Sequence, residues 1–153
     1  MTVVSRDRLE GMSFELGNSR VVAVTADVFA IEEHPKFAFI PGSKPAFQGF
    51  FKYASRMVPC FDLHILCGMP ASDGSRGSCL ISRTSSGELA GIWIKGLKGV
   101  RNVTGAEPDA APEIPSVLAP YVLNSCAIDN APHLLLDIQK LVTDLTSDSV
   151  TLY

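Results

Sequence analysis

The stretch Phe47-Gln48-Gly49-Phe50-Phe51-Lys52-Tyr53-Ala54-Ser55-Arg56-Met57-Val58-Pro59-Cys60-Phe61-Asp62-Leu63 decides the fold. The aromatic residues of Phe47–Tyr53 mark a buried strand. Arg56–Phe61 is apolar and follows at once as another strand. It contains Pro59, which has no N–H to give to a ladder, so this residue belongs at a sheet edge or a strand end. Asp62 is placed to cap a single helical turn over Leu63–Leu66, and Gly68 is placed to stop it.

The flanks repeat this rhythm of short strands and tight turns. Upstream, Ser13–Leu16 and Arg20–Val24 form a hairpin broken by Gly17-Asn18. Asp27–Ile31 reads as a short helical or extended turn that Pro35 keeps from growing, and Phe37–Ile40 as a strand ending at Pro41-Gly42. Downstream, Ala71–Ser78 is a polar surface loop. Cys79–Ser82 and Glu88–Ile94 make a second hairpin around Ser85-Ser86-Gly87, and Gly99–Val103 is a further strand. Residues 105–120 hold four prolines with acidic Glu107, Asp109 and Glu113, and read as a long exposed connection. Tyr121–Leu123 and His133–Leu136 read as strands joined through Ile128–Pro132. Asp137 caps a last helix whose Ile138, Leu141, Val142 and Leu145 fall at i, i+3, i+4 and i+7. The polar tail from Thr146 has Leu152 and Tyr153 as its only large apolar anchors.

At 153 residues the chain is one domain's worth, and with 46% hydrophobic and 19% charged residues it is not disordered. Ten prolines and twelve glycines spread along it favour many short elements and exclude a long coiled coil. A net charge of −3 gives no general attraction for phosphate backbones or anionic lipids. No apolar run approaches the roughly 20 residues that span a bilayer, and Met1–Asp7 shows no secretory pattern. The expectation is a mainly β, cytosolic protein without membrane insertion.

Tests for chemistry are negative. There is no G-x-S-x-G elbow and no H-E-x-x-H helix. Gly74-Ser75-Arg76-Gly77-Ser78 lacks the G-K-[ST] ending of a phosphate cradle. His34 sits in a turn, His64 in an apolar helical turn and His133 at a strand start, none close in sequence to a useful pair of carboxylates. Asn102-Val103-Thr104 matches a glycosylation acceptor but has no secretory context. Cys60, Cys67, Cys79 and Cys126 lie mostly in apolar runs and read as core residues. A metal site on Cys60, His64 and Cys67 is the competing reading, weakened by the lack of a closely spaced second pair. Lys52, Tyr53 and Arg56 are the one compact basic and aromatic group, the feature a single-stranded nucleic-acid binder would need. No cofactor is expected.

One ordered series carries more: Phe14-x-Leu16-Gly17, Val28-x-x-Ile31, Ile40-Pro41-Gly42, Gly49, Val58-Pro59-x-x-Asp62-Leu63, Gly91-Ile92 and Leu135-Leu136-Asp137-Ile138-x-Lys140-Leu141. Across about residues 12–145 it resembles the CheW-like chemotaxis coupling proteins. The resemblance implies two small five-stranded β-barrels packed on a shared core with short helices and a C-terminal helix, preceded by a polar lead (1–11) and followed by a tail (146–153). It implies a non-catalytic adaptor linking the cytoplasmic tip of a methyl-accepting chemoreceptor to the regulatory domain of a CheA-type histidine kinase, in the cytoplasm at membrane-associated receptor arrays. The positions matching the family's partner contacts are Val28, Gly49 and Val100, each of which also has a packing explanation.

The chain departs from the family at points that matter. Where relatives read N-L-R-G it has Lys52-Tyr53-Ala54-Ser55, so an arginine is replaced by Ala54 and a glycine by Ser55. An acidic residue common at Ala30 is also missing, so both members of a possible ion pair are lost together. Asn124 stands for a glycine, and Lys95 for a frequent acid. These changes imply a divergent coupling protein, such as one serving an accessory chemosensory system.

Overall fold

The computed structural model describes residues 9–33, 35–38, 41, 44–70, 77–105 and 114–147. Along the chain run β1 (Leu9–Leu16), β2 (Ser19–Val24), a 3-10 turn (Thr25–Asp27), β3 (Ala30–Glu32), β4 (Phe47–Tyr53), β5 (Arg56–Asp62) and α1 (Leu63–Leu66). There follow β6 (Gly77–Arg83), β7 (Leu89–Lys95), β8 (Val100–Val103), a 3-10 helix (Ser116–Tyr121), β9 (Val122–Ile128), β10 (Ala131–Leu136) and α2 (Ile138–Leu145). Readings that involve Met1–Asp7, His34, Phe39, Ile40, Gly42, residues 71–76, Glu107, Asp109, Glu113, Leu152 and Tyr153 lie outside the described residues. No helix among the described residues is long and apolar enough to cross a membrane.

The mainly β expectation holds, and the pairing sorts the ten strands into two groups of five. In one, β9, β10, β2, β1 and β8 follow each other, and a bridge from Thr104 to Ala127 links the end of β8 back to β9. In the other the order is β4, β5, β7, β6 and β3, and a bridge from Ala38 to Phe50 adds a further contact to β4. Both patterns are compatible with small barrels. Among the described residues a single register pair, Glu15 with Lys95, joins the groups through β1 and β7. Each group has an apolar centre of its own, Phe51, Val58, Cys60, Cys79, Ile81 and Leu89 in one and Val22, Val103, Cys126 and Ile128 in the other.

The largest core is shared. Phe14, Leu16, Val21 and Ala23 of the first group meet Leu80, Ala90, Ile92 and Ile94 of the second, and Ile138, Leu141, Val142 and Leu145 of α2 close over them. All four helix residues are buried, and burying each stabilises by roughly 1.5–3 kcal/mol. Asp137 caps α2 by accepting from the Lys140 N–H at 3.1 Å. Tyr121 Oη donates to Asp144 at 2.6 Å, and Lys140 Nζ reaches the Pro120 carbonyl at 3.2 Å.

Pro59 lies in the middle of β5 rather than at its end, yet still on an edge. Its partner Phe50 exchanges backbone hydrogen bonds with Ala38, so the Phe50–Pro59 pair makes none of its own and the proline nitrogen faces away from β4. On that side the parallel ladder to β7 begins only at Cys60–Gly91. The next rung back would need an N–H from Pro59 for the Leu89 carbonyl, so the ladder stops there. The same construction recurs at Pro132, whose partner Ala127 is bonded to Thr104, and β10 begins its parallel ladder with β2 at Leu134.

Three expectations need correction. Tyr121 closes a 3-10 helix instead of opening a strand, and the second half of the proline-rich connection is not exposed throughout, because Leu118 and Tyr121 are buried in the shared core. β9 runs on to Ile128 and β10 starts at Ala131, so the expected connection Ile128–Pro132 shrinks to Asp129-Asn130, at φ of 51° and 66°. Two short polar residues that tolerate the left-handed region suffice for a two-residue hairpin. Gly77 and Ser78 belong to β6, not to a loop, and Gly77 lies beneath the Trp93 ring.

The β4–β5 turn has the same two-residue geometry with less suitable residues, Ala54 at φ 47° and Ser55 at φ 67°. Non-glycine side chains there cost roughly 1–2 kcal/mol each. Ser55→Gly is therefore expected to stabilise the protein by about 1 kcal/mol, a rise of about 2–4 °C in Tm for a chain of this size, measured by thermal unfolding.

Candidate functional site

Val28, Gly49 and Val100 sit in three different settings. Val28 ends the 3-10 turn, its N–H bonded to the Thr25 carbonyl at 3.1 Å, and its half-buried side chain packs against the shared core. The segment is held in place by Ser82, whose hydroxyl donates to the Asp27 carbonyl at 2.7 Å, and by the Phe29 N–H, which donates to the Ile81 carbonyl at 2.8 Å. Val100 opens β8 opposite Met12 of β1, and half of it (50%) is exposed. Beside it Arg101 and Asp129 form an exposed ion pair that gives this apolar spot a charged margin. Val28 and Val100 thus belong to segments that both border β1.

Gly49 is buried on another hairpin. Its φ is 124°, and a Cβ there would come within 2.6 Å of the Ala38 carbonyl oxygen. A backbone requirement accounts for this glycine without any partner.

The departures at Ala30 and at Ala54-Ser55 flank Phe29. Ala30 is the first residue of β3, and Ala54 and Ser55 form the β4–β5 turn. Between them Phe29, 46% exposed, meets Tyr53 edge-on at 6.4 Å, and the Arg83 guanidinium lies 4.8 Å from its ring centroid. A cation–aromatic cluster therefore occupies the region where relatives carry an acid and an arginine. Reading the residues one at a time missed Phe29 and the exposed Leu123 (58%). Phe29 had a signal, since it stands directly beside Val28 in a short turn too small to bury both. Leu123 had none. Asn124 is exposed, and its side chain accepts from the Ser125 N–H at 3.0 Å.

Several of the residues weighed for chemistry have capping or packing roles. Asp62 is buried and caps α1, accepting from the N–H groups of His64 at 2.8 Å and Ile65 at 3.1 Å. Cys60 Sγ lies 2.8 Å from Cys79 Sγ, beside Gly91, where any side chain would collide with the Cys79 sulfur. Burial, and then Asp62, push the Cys67 thiol up to about 12, and burial pushes Cys126 up to about 11, so both stay protonated and unreactive at neutral pH. His133 is buried with Nδ1 2.8 Å from the Ala131 carbonyl. Among the described residues no three of His, Cys, Asp or Glu come together as a metal-holding group, so the Cys60–His64–Cys67 spacing does not close into a site. Lys52 projects from the face of β4 opposite to Tyr53, whose register partner is Arg56, so these three do not share one surface.

Asp27 stands beside the candidate contact region with its carboxyl held above the usual range, first by burial and then by the Asp137 carboxylate. The fold binds this proton more tightly than the unfolded chain does, so stability falls as pH rises through its titration and the penalty is complete at neutral pH. Asp27→Asn is expected to raise Tm at pH 7, and the gain should vanish below about pH 4. Melting curves of the two proteins across pH 3–8 measure this.

The model of the CheW-like domain family matches residues 10–146. Among solved structures the chain resembles the scaffolding protein TtCheW from Thermoanaerobacter tengcongensis, with a TM-score of 0.72 and 17% identity over 84% of this chain and 88% of that one. No curated protein matches the sequence. The match spans all of α2 and the ten described strands except Leu9 at the start of β1, and the two five-strand groups on one shared core are its structural counterpart, so the chain belongs to the CheW-like domain family of chemotaxis scaffold and adaptor proteins.

Proposed function

We propose that this protein is a non-catalytic adaptor that couples the cytoplasmic tip of a chemoreceptor to the regulatory domain of a CheA-type histidine kinase. Residues 12–145 act as the adaptor domain, in the cytoplasm at membrane-associated receptor arrays, in an accessory system whose receptor differs from the usual one. The observation that carries this reading is the family match across residues 10–146, the whole of the described fold but its edges. What it asks of the surface is a rigid apolar spot with a polar rim, rather than a pocket of shifted pKa values.

In this reading Val100, with the Arg101–Asp129 pair at its margin, meets the receptor, and Val28 supports the contact from the turn beside β1. The Phe29–Arg83 pair stands in for the missing acid and arginine, which favours a partner surface different from the one those relatives meet. Gly49 serves the interface only by allowing the β4 backbone to pass close to Ala38.

Val100→Glu is expected to weaken receptor-tip binding by at least tenfold while Tm stays within about 2 °C of the parent, since the side chain is half exposed. Gly49→Ala is expected to do the reverse, destabilising by about 2–4 kcal/mol through the collision with Ala38 and the positive φ. Titration calorimetry against the receptor tip, paired with thermal melts, separates the two. A Val100→Glu protein that binds as the parent does would remove Val100 from the interface.

A further inference from the structure

The strand directions in the group of β4, β5, β7, β6 and β3 bring the close of β4, the start of β5, the start of β7, the close of β6 and the start of β3 to one end. Residues directly opposite each other in a pair share a face, as do residues two apart along a strand. Tyr53 is opposite Arg56, and each stands two residues from the buried pair Phe51 and Val58. Arg83 is opposite the buried Leu89 and two residues beyond the buried Ile81. Tyr53, Arg56 and Arg83 therefore continue the face that carries this group's apolar centre, out to its end. Phe29 lies between them, meeting Tyr53 edge-on at 6.4 Å, with the Arg83 guanidinium 4.8 Å from its ring centroid. Both arginines are exposed, and neither forms an ion pair with a carboxylate among the described residues, Asp27 and Glu88 included. At the rim Ala30 and Ala54 bring only methyl groups.

Two unpaired guanidinium groups around an apolar, aromatic centre ask for carboxylates around an apolar side chain. Packing on Phe29 holds the Arg83 plane in place and leaves its N–H edge to a carboxylate, so little freedom is lost on binding. Arginines and aromatics also serve to stack bases. Here Arg83 already lies on the Phe29 ring, Tyr53 is half-buried, and the net charge of −3 opposes a polyanion, which favours an acidic protein segment over a nucleic acid. We propose that this end of the β3–β7 group takes an acidic segment of the receptor tip, with one carboxylate on Arg83, another on Arg56 and an apolar side chain between them against Phe29. The proposal rests on the adaptor reading, within which Val28, a candidate receptor contact, adjoins Phe29 directly. Charge then selects the receptor: a tip with acidic residues at this point fits, and one with basic residues is rejected.

The test pairs two titrations of the whole chain. In calorimetry with the receptor tip, Arg56→Glu and Arg83→Glu are each expected to bind at least tenfold more weakly than the parent at a Tm within about 2 °C of it, since both side chains are exposed. The parent's affinity should fall as salt rises from about 50 to about 500 mM. In amide NMR, the capped peptide Gly-Glu-Leu-Glu-Gly is expected to shift Phe29, Ala30, Tyr53, Arg56 and Arg83 of the parent. It should shift none of them in the double variant, and the lysine peptide Gly-Lys-Leu-Lys-Gly should shift none in the parent. Receptor binding unmoved by both charge reversals, or an acidic peptide that leaves these amides where they were, would overturn the proposal and leave the coupling role standing. Peptide shifts at these amides with no receptor binding by the parent would sink the coupling role and uphold the acid-binding surface. A single-stranded oligothymidine that shifts the same amides and displaces the peptide would overturn the proposal in favour of nucleic acid.

Discussion

The structure depends on one apolar core that neither group of five strands owns. Phe14, Leu16, Val21 and Ala23 come from one side, Leu80, Ala90, Ile92 and Ile94 from the other, and the stripe of α2 seals them from water. Among the described residues the strand groups touch in register at only one residue pair, so side-chain burial rather than a continuous backbone ladder fixes their relative position. A scaffold needs such rigidity, because two partners held on different faces are held at a fixed geometry only if the body between them does not flex. The capping carboxylate of Asp137 and the Tyr121–Asp144 hydrogen bond matter for this reason, since they fix the helix on which the seal depends.

The two groups solve their shared problem in the same way. β5 runs parallel to β7, carries Pro59 opposite a residue bonded elsewhere, and ends in the cap Asp62. β10 runs parallel to β2, carries Pro132 opposite a residue bonded elsewhere, and ends in the cap Asp137. In each case a strand leaves an edge, enters a ladder just after its proline and is stopped by an aspartate that starts a helix. Both helices then turn inward, with Leu63 and Leu66 joining the same core as Ile138 and Leu141. The correspondence is physical: a proline marks where a parallel ladder can begin, and an aspartate where a strand gives way to a helix.

Much of this was legible in the residues. The period of Ile138, Leu141, Val142 and Leu145 gave the buried face of α2, and Asp62, Gly68 and Asp137 marked helix ends because each acts on its own backbone within a few residues. The hairpin around Ser85-Ser86-Gly87 was legible for the same local reason. Features set by distant partners were not. Pro59 read as a sheet edge or a strand end, and the choice between them was not legible because nothing in its neighbourhood shows that Phe50 turns its hydrogen bonds to Ala38. Leu118 looked exposed among prolines until the core it fills was assembled. The candidate site was less legible than the fold. Val100 is exposed as an interface residue should be, Val28 is only half so, and Gly49 answers to a backbone collision that only the folded chain creates.

The central claim is that this chain works by holding two proteins together and not by transforming a molecule. It is tested most directly by sedimentation velocity on mixtures of the protein, the kinase regulatory domain and the receptor tip. The prediction is a ternary species heavier than either binary mixture yields, present at concentrations where kinase domain and receptor tip alone do not associate. Mixtures in which the protein sediments unchanged with both, or in which one partner displaces the other, would contradict it.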